Sequence, residues 1–332
     1  MKRIITLFLT LALTLSLAAC AAPGEKADDG RLQIVATLFP YYDFARAIAG
    51  GRADVTLLLS PGREAHSFEP TPLDAVTISE ANVFLYNGGE GEYWVEEMLD
   101  AAGEHIAVKA RMMDYVDALG EEFSEGMQGA DEHGHDHDHA DHDHDHEEDE
   151  HDSDEIEYDE HIWTSPKNAA ILCRAVCEAI CKADPANEDF YRANCDDYCA
   201  QIEALDARFA DLCESAPRKL LIFADRFPML YFCREYGLDY RAAFHGCSGD
   251  TEPSLATIKF LIDKVEDENI PVVYTIDFGT KKVAAVVSEC TGAAIETIYS
   301  MQTVSRADFD AGETYLTLME RNYEALRKGL NE

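Results

Sequence analysis

Seven apolar residues in the middle of the chain limit its possible folds more than any other feature. Tyr191, Cys195, Tyr198, Ile202, Leu205, Phe209 and Leu212 recur at spacings of 4, 3, 4, 3, 4 and 3. That rhythm keeps one continuous stripe on one face of an α-helix. The helix is predicted from about Asn187 to Glu214, with Pro217 beyond it. At its length it reaches roughly 40 Å, enough to run across two lobes as a rigid spine. Just before it, Ser165 and Pro166 make an N-cap and first-turn pair for a helix that runs to about Lys182 and stops before Pro185.

Both sides of this helical pair alternate between strand and helix patterns. Upstream, strands are expected at Leu32 to Thr37, Val55 to Leu59, Val83 to Tyr86 and Ile106 to Val108, with helices at Tyr41 to Ala49, Pro72 to Ser79 and Glu90 to Ala101. Downstream, strands are expected at Leu220 to Phe223, Val272 to Thr275 and Ala294 to Ile298. Helices are expected there at Pro228 to Tyr236, Pro253 to Glu268, Lys281 to Cys290 and Asp310 to Gly329. Buried-type strands alternating with helices imply parallel sheets covered on both faces. The fold class is therefore α/β: two lobes, each a parallel-type sheet flanked by helices, joined by a long rigid backbone helix. The lobes are expected at 31–165 and 217–332, with connecting helices at 166–216.

The N-terminus has a different character. Lys2 and Arg3 precede an apolar run from Ile4 to Leu17, which is the size of a signal-peptide core and short for a membrane span. It ends in Leu17-Ala18-Ala19-Cys20, which resembles a bacterial lipobox. Residues 1–19 are read as a signal peptide, Cys20 as the lipidated residue and 20–30 as a flexible tether. The expected location is the extracytoplasmic face of the cell membrane, held by lipid alone.

The net charge is −38, which disfavours nucleic acid and anionic membranes as partners and favours cations. Residues 131–155 alone carry fourteen acids and eight histidines (His133, His135, His137, His139, His142, His144, His146 and His151) with no base. Such a segment cannot bury apolar surface and is expected to be a disordered surface loop. Its imidazoles would bind Zn²⁺, Ni²⁺ or Cu²⁺ weakly at several places. The other reading is a solvated acidic loop with no metal role.

Nine cysteines follow Cys20, and Cys173, Cys177 and Cys181 fall on one helix face. The odd count and this spacing argue against a dense disulfide framework. Most are expected to be small buried hydrophobes; a soft-metal site would lack the usual Cys-x-x-Cys pairs.

Outside the acidic segment the histidines are His66, His105, His161 and His245. His66 follows a strand and precedes a helix, at the ligand-binding edge of a parallel sheet, and His161 immediately precedes a helix. Two imidazoles from separate loops can converge on one ion. Each on its own is as well read as an ordinary surface or core histidine, and His105 has no special context.

At this point the motifs resemble a family. Leu57-Leu-Leu-Ser-Pro-Gly-Arg-Glu-Ala-His66 through Pro72 is similar to the first metal-ligand loop of zinc and manganese solute-binding lipoproteins of ABC importers. Ala81 to Gly88 with Glu92 and Trp94, Glu160 to Pro166, Thr251-Glu-Pro-Ser254 and Thr291-Gly292 resemble later landmarks in the same order, and the acidic histidine-rich loop falls where zinc-type members carry one. The resemblance implies that His66 and His161 are metal ligands. It places the third family ligand, His or Glu, near Arg226, which cannot bind a cation. Asp225 is the neighbouring candidate, although it could equally cap a helix or pair with Arg226. The fourth, an acid, is expected at Asp277, although counting back from Thr291-Gly292 lands on Ile276. His245 is an outside candidate for the missing histidine.

Two imidazoles and two carboxylates would close a four-coordinate shell with no activated water, so no enzyme is expected. The expected function is the extracytoplasmic substrate-binding component of an ABC importer. It would capture Zn²⁺ in an interdomain cleft and act as a monomer with a permease and its ATPase. The alternatives are the same role for Mn²⁺ or a metal-binding adhesin lipoprotein; a zinc hydrolase lacks a His-Glu-x-x-His pair.

Overall fold

Buried aliphatic runs pair side by side to give two all-parallel sheets. The computed structural model describes residues 30–63, 68–102, 106–128, 157–248 and 252–331. The first sheet contains β1 (Leu32–Ala36), β2 (Ala53–Leu57), β3 (Val83–Tyr86) and β4 (Val108–Arg111), in the order β2-β1-β3-β4. The second contains β5 (Leu220–Phe227), β6 (Asp239–His245), β7 (Val272–Ile276) and β8 (Ala294–Ile298), in the order β6-β5-β7-β8. The helices are α1 (Phe39–Ala49), α2 (Pro72–Ser79), α3 (Trp94–Ala102), α4 (Pro166–Ala183), α5 (Glu188–Ser215), α6 (Leu230–Tyr236), α7 (Leu255–Asp267), α8 (Lys282–Thr291), α9 (Arg306–Ala311) and α10 (Tyr315–Asn331). Residues Leu32–Glu332 cluster as one compact unit.

The helix ends obey local chemistry. Thr71 and Asp74 form a reciprocal capping box at the start of α2. The Ser165 hydroxyl accepts the Asn168 amide at the start of α4, with Pro166 in the first turn. The seven stripe residues of α5 are all buried, as their spacing predicts. The helix packs on α4 and α1, and also on α6 and α10, so it touches helices associated with both sheets. One continuous apolar core runs from the first sheet through α4 and α5 to one face of the second sheet, and a smaller core under α7 and α8 covers the other face.

Several local expectations need correction. β6 has no counterpart in the sequence reading, because Asp239-Tyr-Arg-Ala-Ala-Phe-His245 neither alternates nor concentrates β-branched residues. It becomes a strand by pairing with β5. β4 begins two residues later than expected and runs on to Arg111. β5 extends to Phe227, past a register shift between Phe223 and Arg226, so Asp225 and Arg226 belong to an irregular strand end and not to a free loop. The closing helix is divided into α9 and α10.

Both sheets reverse strand order in the middle, between β1 and β3 and between β5 and β7. Ligands in such sheets bind beyond the carboxyl ends of the strands flanking that reversal.

Candidate metal centre

His161 lies between the two reversal points. Behind it, residues 157–161 are held by short backbone pairings: Gly120 bridges Tyr158, the Glu121 amide donates to the Glu157 carbonyl, and the Asp159 amide donates to the Leu119 carbonyl. The Tyr231 hydroxyl donates to the Asp159 carbonyl at 2.8 Å. Towards the first sheet, the Asn87 side-chain amide at the end of β3 donates to the Glu160 carbonyl at 3.0 Å, and the Tyr41 hydroxyl in turn donates to Asn87. Towards the second sheet, Trp163 donates from Nε1 to the Ser300 carbonyl at 2.7 Å, and the Ser300 amide donates to an Asp277 oxygen at 3.3 Å.

The imidazole itself is oriented. Asp159 Oδ1 accepts the His161 backbone amide at 2.7 Å and faces Nδ1 at 3.1 Å. A proton on Nδ1 leaves the Nε2 lone pair for an ion, the usual carboxylate–histidine–metal arrangement. Burial pushes the His161 pKa down, but the surrounding Asp159, Glu121 and Glu160 carboxylates more than reverse this and raise it overall. Gly246 at the end of β6 packs on the ring; an added Cβ there would lie 3.1 Å from its Cε1 and Nδ1.

Asp225 near the end of β5 bonds to the end of β7, and Asp277 is the first residue after β7. Asp225 Oδ2 accepts the Thr275 hydroxyl at 2.6 Å and the Ile276 amide at 3.3 Å, while Oδ1 accepts the Arg226 amide at 2.9 Å. A Cβ at Gly279 would fall 1.8 Å from Asp225 Oδ2, so only glycine lets the β7–α8 loop approach this carboxylate. The half-buried Asp277 carboxyl is pushed up to about 7 by burial, against hydrogen bonds from the Ser300 backbone and side chain. Arg226 is buried at the strand end, beside Asp225 in sequence. His245 lies at the end of β6, with Nδ1 3.5 Å from Glu121 Oε2 and its ring 5.1 Å from the Phe123 ring. It is one residue from the glycine that packs on His161, closer to the centre than its sequence surroundings indicated.

His66 lies outside the described residues, as do Cys20, His105 and the loop histidines His133, His135, His137, His139, His142, His144, His146 and His151. The residues flanking His66 are described. Leu59 and Phe68 line a small cavity together with Trp94, Glu92, Glu160 and Gln302. Both shoulders of the His66 loop therefore line the same cavity as Glu160, the residue before His161.

Sequence reasoning did not single out Asp159, Glu121 or Glu160 as site residues. Their only signal is the Asp159-Glu160-His161 run itself. It quoted Glu92 only as a landmark, yet this carboxyl is buried. Glu92 Oε2 accepts the Gly88 amide at 2.8 Å, and Oε1 has no hydrogen-bond partner among the described residues. Burial raises its pKa to about 7. Because the folded value exceeds the unfolded one, stability is highest below the unfolded pKa and falls as pH rises towards 7. Glu92→Gln is expected to stabilise the metal-free protein by about 1–3 kcal/mol at about pH 8 and to change little at about pH 5. Urea unfolding at the two pH values checks this; equal effects at both would show that the carboxyl ionises normally.

The zinc-uptake complex component A periplasmic (ZnuA) family description matches residues 34–329. The high-affinity zinc uptake system protein ZnuA of Bacillus subtilis (strain 168) is 31% identical over 328 residues, 98% of this chain and 97% of that protein. The zinc-binding lipoprotein AdcA of Streptococcus pneumoniae is 29% identical over 328 residues; the match covers 99% of this chain but only 61% of AdcA. The crystal structure of the Zn(II)-bound ZnuA-like domain of S. pneumoniae AdcA superposes with a TM-score of 0.71 at 25% identity, over 91% of this chain and 100% of that domain. With two parallel sheets, a spanning helix and an oriented histidine between the strand ends, this chain belongs to the ZnuA family.

Proposed function

We propose that this protein is the extracytoplasmic substrate-binding component of an ABC importer, anchored through Cys20. It captures Zn²⁺ with His66, His161, Asp225 and Asp277 and hands it to a membrane permease driven by its ATPase. The observation that carries this reading is His161. It is buried, its Nδ1 faces Asp159, the preceding Glu160 carbonyl is held by Asn87 at the end of β3, and the following Trp163 leads through Ser300 to Asp277. A ligand fixed in this way suits capture of an ion. That the shoulders of the His66 loop share a small cavity with Glu160, the residue before His161, supports a centre with one imidazole from each of two segments. The named zinc-binding relatives favour Zn²⁺ as the cargo.

Two imidazoles and two carboxylates leave no open position on a four-coordinate ion, which suits binding and release and not catalysis. The lobes proposed at 31–165 and 217–332 would then be clasped by the ion, joined by the connecting helices at 166–216, of which α5 is the rigid spine. Metal-dependent ordering of the ligand loops would let a permease distinguish loaded from empty protein. The segment 131–155 would collect ions weakly near the centre.

Both oxygens of Asp225 already accept hydrogen bonds from neighbours, so this ligand has the most direct test. Asp225→Ala is expected to lower Zn²⁺ affinity roughly tenfold or more, measured by competition with a chromophoric chelator. Unchanged affinity would assign the carboxylate to holding the β5 and β7 ends together and leave His245 as the next candidate.

A further inference from the structure

The α4–α5 hairpin carries thiols that the zinc centre does not use. Cys173 and Cys177 are one helical turn apart on α4, and Cys195 and Cys199 are one turn apart on α5. Residues four apart on a helix point the same way, so each helix presents a pair. The Sγ atoms of Cys173, Cys195 and Cys199 all lie within 4.8 Å of one another, and all three residues are buried. Cys195 and Cys199 are 3.8 Å apart at sulfur, and Cys177 lies 3.9 Å from Cys181. Tetrahedral thiolates around zinc, at about 2.3 Å from the ion, stand about 3.8 Å from each other. The Cys195–Cys199 separation thus matches a coordination edge, and the two edges to Cys173 lie within 4.8 Å.

We propose that this hairpin holds a second, sulfur-based site for a thiophilic d¹⁰ cation, built from Cys173, Cys195 and Cys199 with Cys177 alongside. Binding a divalent ion to three thiols releases three protons and leaves a complex of charge −1, with no redox change. The Cys195 thiol donates towards the Cys173 carbonyl and the Cys199 thiol towards the Ala170 carbonyl, at 3.9 and 3.7 Å, and hydrogen bonding to its thiol neighbours together with burial pushes the Cys173 thiol up, so the ion must displace protons that the site holds. Arg174, on the same turn of α4 as Cys173, supplies a nearby positive charge; it is already paired with Glu203 across the helices. The usual Cys-x-x-Cys loop is replaced by Cys-x-x-x-Cys on two facing helices, a spacing suited to a rigid helical scaffold.

Cd²⁺ is a suitable probe, because thiolate-to-cadmium charge transfer in the ultraviolet reports sulfur ligands and is silent for imidazole and carboxylate. The full chain, purified with a reductant, is titrated anaerobically with Cd²⁺. The expected result is a charge-transfer band that saturates at one equivalent, persists in His161→Ala, and is lost in Cys195→Ser and in Cys173→Ala. Cys213→Ala, a buried thiol elsewhere on α5, should leave it intact, which guards against general loss of folding. No band, with every thiol countable after denaturation, would overturn the proposal and make these cysteines apolar packing only. No band, with four thiols missing from that count until the denatured chain is reduced, would overturn it in favour of interhelical disulfides. Persistence of the band in His161→Ala also separates this site from the zinc centre, so the two proposals fail independently.

Discussion

His161→Ala is expected to lower Zn²⁺ affinity roughly a hundredfold or more, while the fold survives. Losing a group that orients a metal ligand typically costs about 10–100-fold in affinity, and removing a ligand outright should exceed that. Survival of the fold is expected because the segment around His161 is held by the Asp159 and Glu121 backbone pairings and by Trp163, none of which needs the imidazole. Asp159→Asn should fall between wild type and His161→Ala, by roughly tenfold, because it keeps the shape of the side chain but removes its charge beside Nδ1. Isothermal titration of the three proteins under one buffer condition gives the ranking. If Asp159→Asn were as damaging as His161→Ala, the carboxylate would be a ligand itself and not an orienting group.

Trp163→Ala should be the most destabilising single change near the site, at about 3–5 kcal/mol. The indole is fully buried and meets the Tyr41 ring edge-on at a centroid distance of 6.2 Å. Its Nε1 donates to the Ser300 carbonyl, and its own carbonyl accepts the Tyr315 hydroxyl at 3.0 Å. Truncation opens a cavity and leaves the Ser300 carbonyl without this donor. Trp163→Phe separates the two effects, since it refills most of the volume but cannot donate. Phe should recover most of the lost stability, as read by urea unfolding. It should recover less of the Zn²⁺ affinity, because the Trp163–Ser300–Asp277 connection remains broken. Full recovery of affinity by Phe would reduce Trp163 to a packing role.

The architecture was legible where hydrophobic rhythm is strong. The α5 stripe, the Ser165-Pro166 start of α4 and the aliphatic runs of β1, β3 and β7 carry their own periodicity, and they fold as that periodicity requires. β6 was not legible, because its identity comes from pairing with β5, a tertiary effect. The extension of β5 was missed for a related reason: Asp225 and Arg226 read as a loop in isolation, and the register shift that accommodates them appears only against the neighbouring strand.

The candidate centre divides in the same manner. His161 stands out in sequence through the helix start beside it. The carboxylates that surround it come from distant segments, Glu121 on one side of the acidic loop and Asp159 and Glu160 on the other, and backbone pairing between residues 119–121 and 157–159 joins them. The cysteines show the limit of reading by motif. Their spacing matches no familiar zinc loop, and the closeness of Cys173 to Cys195 and Cys199 arises from the antiparallel packing of two helices.

The central claim is that a buried site, and not the acidic histidine-rich segment, captures zinc. Its most direct test is a competitive titration with Zn²⁺ and Mn²⁺ of the chain from Ala21, with and without residues 131–155, in wild type and His66→Ala. The account predicts a tight Zn²⁺ equivalent that survives removal of the segment, outcompetes Mn²⁺ and disappears in His66→Ala. Preference of that equivalent for Mn²⁺ would keep the receptor and change its cargo. Loss of all tight binding with the segment would contradict the account and make this protein a surface metal collector.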